Sequence, residues 1–158
     1  MSADHGIPLH DFLDFEFVSP EAGSTTAEVR MPVRPEALGL TGNLHGGAIA
    51  TLVDLACALA AAKFSGFDPE RESLVTADMH VRYVGRPRTD GVVAKAEVRR
   101  SGRQLIVIGC DIVDDDGHLV ALADFSMMLV PLRDPLPGQD RQVRGDRPVA
   151  TDDAGGAR

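Results

Sequence analysis

The chain has little from which to build a disulfide framework, a metal centre or a nucleic-acid surface. Its two cysteines, Cys57 and Cys110, fall in a helix and a strand without motif spacing, which suits reduced, buried thiols better than a disulfide or a metal clip. The histidines His5, His10, His45, His80 and His118 are scattered, with no i, i+4 pair on a helix and no cysteine at ligand spacing. Neither a metal nor a cofactor is expected. Positive charge is in deficit: a formal net charge of −8 opposes nonspecific attraction to nucleic acid and makes a membrane surface a poor partner. No apolar run reads as long enough to cross a bilayer and no charged-then-apolar leader precedes the first proline, so a soluble, cytoplasmic protein is expected. No Gly-x-Ser-x-Gly elbow occurs, and the pair Gly46-Gly47 lacks the Lys-Ser/Thr ending of a phosphate loop. One tyrosine and no tryptophan leave aryl and aliphatic ligands equally open.

What is present is one domain's worth of globular chain: 158 residues, 44% hydrophobic and 25% charged, enough to bury a sizeable core. Phe12 to Val18 and Thr25 to Val33 alternate as strands around a turn at Pro20 to Ser24, with Ala27, Val29 and Met31 on one face. A loop carrying Pro35, Gly39 and Gly42 leads to a helix expected from His45 to Phe64, which Ser65-Gly66-Phe67-Asp68-Pro69 ends. Strand-like runs follow at Leu74 to Val84, Val92 to Arg100, Leu105 to Val113 and Leu119 to Leu132. Turns at Gly85 to Gly91, Ser101-Gly102 and Asp115-Asp116-Gly117 separate them and predict an antiparallel meander. A single long helix among about six strands cannot serve a doubly wound sheet, which needs a helix for each parallel crossover. The fold class is therefore α+β, with the helix packed on one face of a curved antiparallel sheet. From Arg133 to Arg158 proline, glycine, aspartate and arginine replace apolar residues, so this segment is expected to be a disordered tail beyond a domain of residues 1 to 132.

The most telling segment is Asn43 to Asp54. A bare glycine pair at a helix entrance forgoes better cap chemistry, yet it lets a ligand approach free backbone N–H groups at the positive end of the helix dipole. Such an entrance can polarise a carbonyl. Behind it the helix is apolar on nearly every face and so reads as buried. Only Thr51, Asp54 and Cys57 interrupt that surface before Lys63, which puts Asp54 where desolvation disfavours its charge and suits it to general-base or nucleophilic work. Gly46 and Asp54 are separated by about 12 Å along a straight helix axis. One copy cannot bring both to one atom, so a homodimer with paired composite sites is expected, and dimers pairing into a tetramer.

Read as His-Gly-Gly, four residues, Leu, one residue, Asp, the stretch His45 to Asp54 resembles the PaaI-like branch of hotdog-fold acyl-CoA thioesterases, which includes thioesterase superfamily member 2. The likeness covers about residues 10 to 132. It continues in Leu74-Val75-Thr76-Ala77-Asp78-Met79-His80-Val81-Arg82-Tyr83 and in the Gly85-Arg86-Pro87 and Ser101-Gly102-Arg103 turns. The resemblance implies hydrolysis of a thioester to free acid and CoA. Gly46 would donate its N–H to the thioester oxygen, His45 would orient the loop, and Asp54 of the partner subunit would activate water or attack directly. Thr76 falls where related enzymes carry a Ser or Thr that helps place the water. Relatives often have an Asn six residues before the His, where this chain has Gly39; Asn43 either compensates or closes the turn with its amide.

Coenzyme A carries phosphates, and local basic spots exist despite the acidic total. Arg82, Arg86 and Arg88 cluster after one strand, and Arg99, Arg100 and Arg103 surround a turn. Gly47, Arg86, Arg88, Ser101 and Arg103 are the candidate CoA contacts, and Leu52, Val53, Leu59 and Phe64 the candidate lining of an acyl pocket between the helix and its dimer mate. Plainer readings exist for each: His45 as a turn cap, Asp54 as a carboxylate tied to a helix N-terminus or an arginine, Thr76 as an ordinary strand threonine, the arginines as solvated hairpin residues. A noncatalytic acyl-CoA binding or sensing protein on the same scaffold is the alternative function.

Overall fold

Alternation of buried with more exposed positions organises most of the sheet. The computed structural model describes residues 7–18 and 21–132. In β2 (Thr26–Pro32) Ala27, Val29 and Met31 are buried while Thr26 and Glu28 are exposed, as a period of two requires. β4 (Gly91–Ser101), β5 (Leu105–Asp114) and β6 (Leu119–Pro131) repeat the pattern and pair antiparallel in succession. β1 (Glu16–Val18) adds to β2 at one edge, and β3 (Glu72–Tyr83) adds to β6 at the other, giving the order β1-β2-β4-β5-β6-β3.

Two expectations need correction. The meander holds for β4, β5 and β6 but not for β3, because the segment Gly85 to Gly91 is no hairpin. Its backbone is held elsewhere: Val84 and Gly85 donate to the Val120 carbonyl, Arg88 to the Asp114 carboxylate, and the Asp90 carbonyl accepts from Val33. The chain thus passes the ends of β6 and β5 before entering β4. The run Phe12 to Val18 is also shorter as a strand than its alternation suggests. Pro8 opens a short helix, α1 (Pro8–Leu13), at a position that proline favours, and Asp14 ends it in the left-handed region with φ 53°. The expected tail at residues 133–158 and part of the Pro20 to Ser24 turn lie outside the described residues.

The long helix, α2 (Gly46–Ser65), matches its expected span within a residue and stops at Gly66, whose φ of 59° completes a left-handed cap. Ala48, Ile49, Leu52, Val53, Ala56, Cys57, Ala60 and Ala61 form its buried stripe, seated on the apolar face of the sheet. Cys57 of that stripe and Cys110 of β5 are both free thiols; hydrogen bonding to Cys110, together with burial, pushes the Cys57 thiol far above its ordinary range. The other half of α2, including Ala50, Thr51, Asp54, Leu55, Ala58 and Leu59, is only half-buried in the single chain, so burial on every face is not met by one copy. At 20 residues and a mean hydropathy of 1.6, α2 is also long and apolar enough to span a bilayer by length and composition, contrary to the sequence expectation. Its seat on the sheet is a sufficient reason for that apolarity.

Candidate active site

The entrance to α2 is built by a short loop that folds back on itself. Leu38 and Leu44 form an isolated bridge, the Gly39 N–H donates to the Asn43 carbonyl at 2.7 Å, and the His45 N–H donates to the Ala37 carbonyl at 2.8 Å. The Asn43 amide donates to Thr41 Oγ1 at 2.9 Å, so this side chain closes the turn. His45 then stands at the cap position in an extended conformation, and its Nδ1 accepts the Gly47 N–H at 2.9 Å. That bond requires Nδ1 to be unprotonated. The His45 carbonyl accepts from both Ala48 and Ile49.

The consequence is selective. Of the N–H groups in the first turn, those of Gly47, Ala48 and Ile49 are engaged, whereas the Gly46 N–H has no acceptor among the described residues. A single oriented donor at a helix N-terminus is what a developing oxyanion needs. Gly46 lines a cleft of about 270 Å³ together with Asn43, Leu44, Tyr83, Arg86 and Pro87.

Two turns further along α2, Asp54 is half-buried and its Oδ1 accepts from Thr76 Oγ1 at 2.9 Å. Thr76 can reach it because it pairs with the inward-facing Met127; a bulge at Ala77 follows directly, between Thr76 and Asp78. Residues Met79, Val81 and Tyr83 then share the helix-facing side with Thr76, although simple alternation would put Tyr83 on the opposite face. The hydroxyl of Tyr83 donates to the Gly46 carbonyl at 3.1 Å. Sequence reasoning missed this contact.

It also missed Asp114, the one buried charged side chain among the described residues, at 2% exposure. Its carboxylate accepts the N–H groups of Arg88 (2.9 Å), Asp116 (3.1 Å) and His118 (2.8 Å). Burial alone would raise its pKa, but those three donors, helped by the nearby His118 charge, prevail and hold it below the ordinary carboxylate range. Asp114 thereby ties down the loop that carries Arg86 and Arg88 beside the cleft.

The candidate residues do not all meet in one chain. Asn43, Gly46 and Arg86 share the cleft, His45 and Gly47 are bonded to each other at its rim, and Asp54 with Thr76 forms a separate pair. Ser101 and Arg103 stand at the far end of β4, about 30 Å along the strand from Gly91. Leu52 and Val53, expected to line an acyl pocket, are instead wholly buried between α2 and its own sheet, whereas Leu59 and Phe64 are half-buried.

Comparison with known proteins agrees with this architecture. The family described as the thioesterase superfamily matches residues 41–121. Rv1847 of Mycobacterium tuberculosis, provisionally named an esterase, is 28% identical over 115 residues, covering 73% of this chain and 81% of that protein. Its solved structure superimposes with a TM-score of 0.70 at 26% identity, over 81% of this chain and 100% of that chain. A mutant of thioesterase PA1618 from Pseudomonas aeruginosa gives a TM-score of 0.71 at 25% identity, over 78% of this chain and 86% of that chain. One long helix packed on a six-stranded antiparallel sheet is the hotdog fold. The chain belongs to the thioesterase superfamily, and thioester hydrolysis in general is the class of activity that this membership gives it.

Proposed function

We propose that the protein is an acyl-CoA thioesterase that acts as a homodimer with two composite sites, in keeping with the PaaI-like resemblance of His45 to Asp54. The observation that carries the reading is the pairing of one unengaged N–H, on Gly46, with a half-buried carboxylate, Asp54, that lies about 12 Å away on the same helix. Each half needs a counterpart from a second copy. The twelve-residue β3 supports such pairing: it is an edge strand with Val75, Met79 and Tyr83 exposed, and an unpaired edge of that length is a template for another strand. The half-covered face of α2 supports it too.

In this mechanism the thioester carbonyl accepts from the Gly46 N–H, and the α2 dipole stabilises negative charge as it develops on that oxygen. Asp54 of the partner subunit, oriented by its bond from Thr76, takes a proton from water as the water oxygen adds to the carbonyl carbon. The C–S bond then breaks, CoA leaves as its thiol after taking up the proton, and the free acid remains. With Asp54 as nucleophile, its oxygen forms a mixed anhydride with release of CoA, and water hydrolyses the anhydride. Arg86 at the cleft, with Arg88 on the same loop, supplies positive charge for the phosphates of CoA.

Release of CoA thiol from a panel of aliphatic and aryl acyl-CoAs tests the reading. Turnover by the wild type, lost in a folded Asp54→Asn dimer, is expected. Wild-type rates in that variant would remove Asp54 from the chemistry, and tight binding without turnover of any substrate would leave the noncatalytic acyl-CoA binder. Label in the Asp54 side chain after a single turnover in labelled water means direct attack by that side chain, with water then adding to the Asp54 carbonyl of the anhydride.

A further inference from the structure

The contact between Tyr83 and Gly46 extends the proposed mechanism, on which it rests. The peptide group joining Gly46 to Gly47 is held at both ends by side chains from different elements. Its oxygen, on Gly46, accepts from the Tyr83 hydroxyl of β3, and its N–H, on Gly47, donates to Nδ1 of His45 in the loop before α2. A Gly-Gly pair is the least restrained backbone a chain can offer, so an oriented donor there needs restraint from outside. The ring stands close by: a Cβ built on Gly46 would lie 3.5 Å from Tyr83 Cζ, an ordinary contact, so the hydrogen bond rather than the ring supplies the restraint.

Tyr83 is not there to fill a core. It is 54% exposed, lines the same cleft as Gly46, and reaches that cleft through the changed alternation of β3 after the bulge at Ala77. We infer that Tyr83 is a positioning residue: by holding the Gly46–Gly47 peptide it sets the orientation of Gly46 at the start of α2, and through it that of the adjoining His45–Gly46 peptide, whose free N–H on Gly46 meets the thioester carbonyl already aligned. Its effect falls on the transition state more than on substrate affinity, because alignment of the donor matters most when charge has developed on the oxygen.

Tyr83→Phe removes the hydroxyl and keeps the ring. With hexanoyl-CoA, or whichever acyl-CoA the wild type hydrolyses best, kcat should fall about tenfold while KM stays within about twofold. Infrared difference spectra of the same acyl-CoA, labelled with ¹³C at its carbonyl and bound to Asp54→Asn, give a readout that a merely structural role would not move. The carbonyl stretch should lie nearer its solution frequency when Tyr83→Phe is added. Unchanged kcat and an unchanged stretch, with wild-type turnover intact, would overturn the role of Tyr83 and leave the thioesterase reading standing. Lowered thermal stability with unchanged kcat would likewise reduce Tyr83 to a structural residue. No hydrolysis of any acyl-CoA by the wild type would remove the thioesterase reading and this inference with it.

Discussion

Replacing Gly46 with proline deletes one N–H and little else. Gly46 is the first residue of α2, and His45 before it is extended at φ −67° and ψ 131°. Proline is favoured at the first helical position and holds its predecessor in that extended region. The Gly46 N–H has no acceptor among the described residues, so no internal hydrogen bond is lost. A Cβ there would come no closer than 3.5 Å to Tyr83, an ordinary contact. Stability should therefore change by less than about 1 kcal/mol, or about 4 °C in Tm. Loss of an oxyanion donor should nonetheless lower kcat about 100- to 1,000-fold, equivalent to about 2.7–4 kcal/mol. Gly46→Ala is the matched control, since it puts a Cβ at the same place and keeps the N–H; it should stay within about tenfold of wild type. Steady-state thiol release, with thermal unfolding of each variant alongside, makes the comparison. A folded proline variant whose kcat lies within a few-fold of the alanine variant would refute the role of the Gly46 N–H.

Thr76→Val leaves Asp54 without its 2.9 Å donor and should reduce kcat about tenfold, with Tm nearly unchanged because Thr76 is exposed. Asp114→Asn replaces an acceptor facing the Arg88 N–H with a donor, or displaces the acceptor facing Asp116 and His118. Because the folded carboxyl titrates below its usual value, its stabilisation is present above the unfolded value near pH 4 and is lost as pH falls through the folded one. The Tm gap between wild type and variant should thus be widest near pH 7 and narrow below pH 4; a gap constant from pH 7 to 3 would contradict this. Arg86→Glu should raise KM for an acyl-CoA but leave KM for the same acyl N-acetylcysteamine thioester unchanged, as that substrate lacks phosphates.

Much of the architecture was legible because it rests on local periodicity. The period of two in Ala27, Val29 and Met31, the apolar helix behind Gly46-Gly47 and the glycine stop at Gly66 all act within a few residues of each other. The place of β3 was not legible, since it depends on where the Gly85 to Gly91 backbone finds its partners, in β6, β5 and β2, all distant in sequence. The same limit hid Tyr83: the bulge at Ala77 shifts the alternation, and nothing in Thr76-Ala77-Asp78 announces it. Asp114 sits in a run of three aspartates that reads as a turn, and only the fold decides which of them is buried. Gly46 was legible as a special position from its neighbours, but that its N–H alone in the first turn has no acceptor among the described residues follows from the His45 ring turning to Gly47. The half-covered face of α2 went the other way, for apolar residues predict burial without saying which chain provides it.

The central claim is that Gly46 of one copy and Asp54 of the other act on one thioester. Co-expression of Gly46→Pro with Asp54→Asn, each carrying a different affinity tag, isolates a mixed dimer in which one site combines both lesions and the other has neither. Thiol release by that mixed dimer should recover to about half the wild-type rate, while each parent homodimer stays nearly inactive. A mixed dimer as inactive as its parents would place both groups in one chain's site and contradict the account.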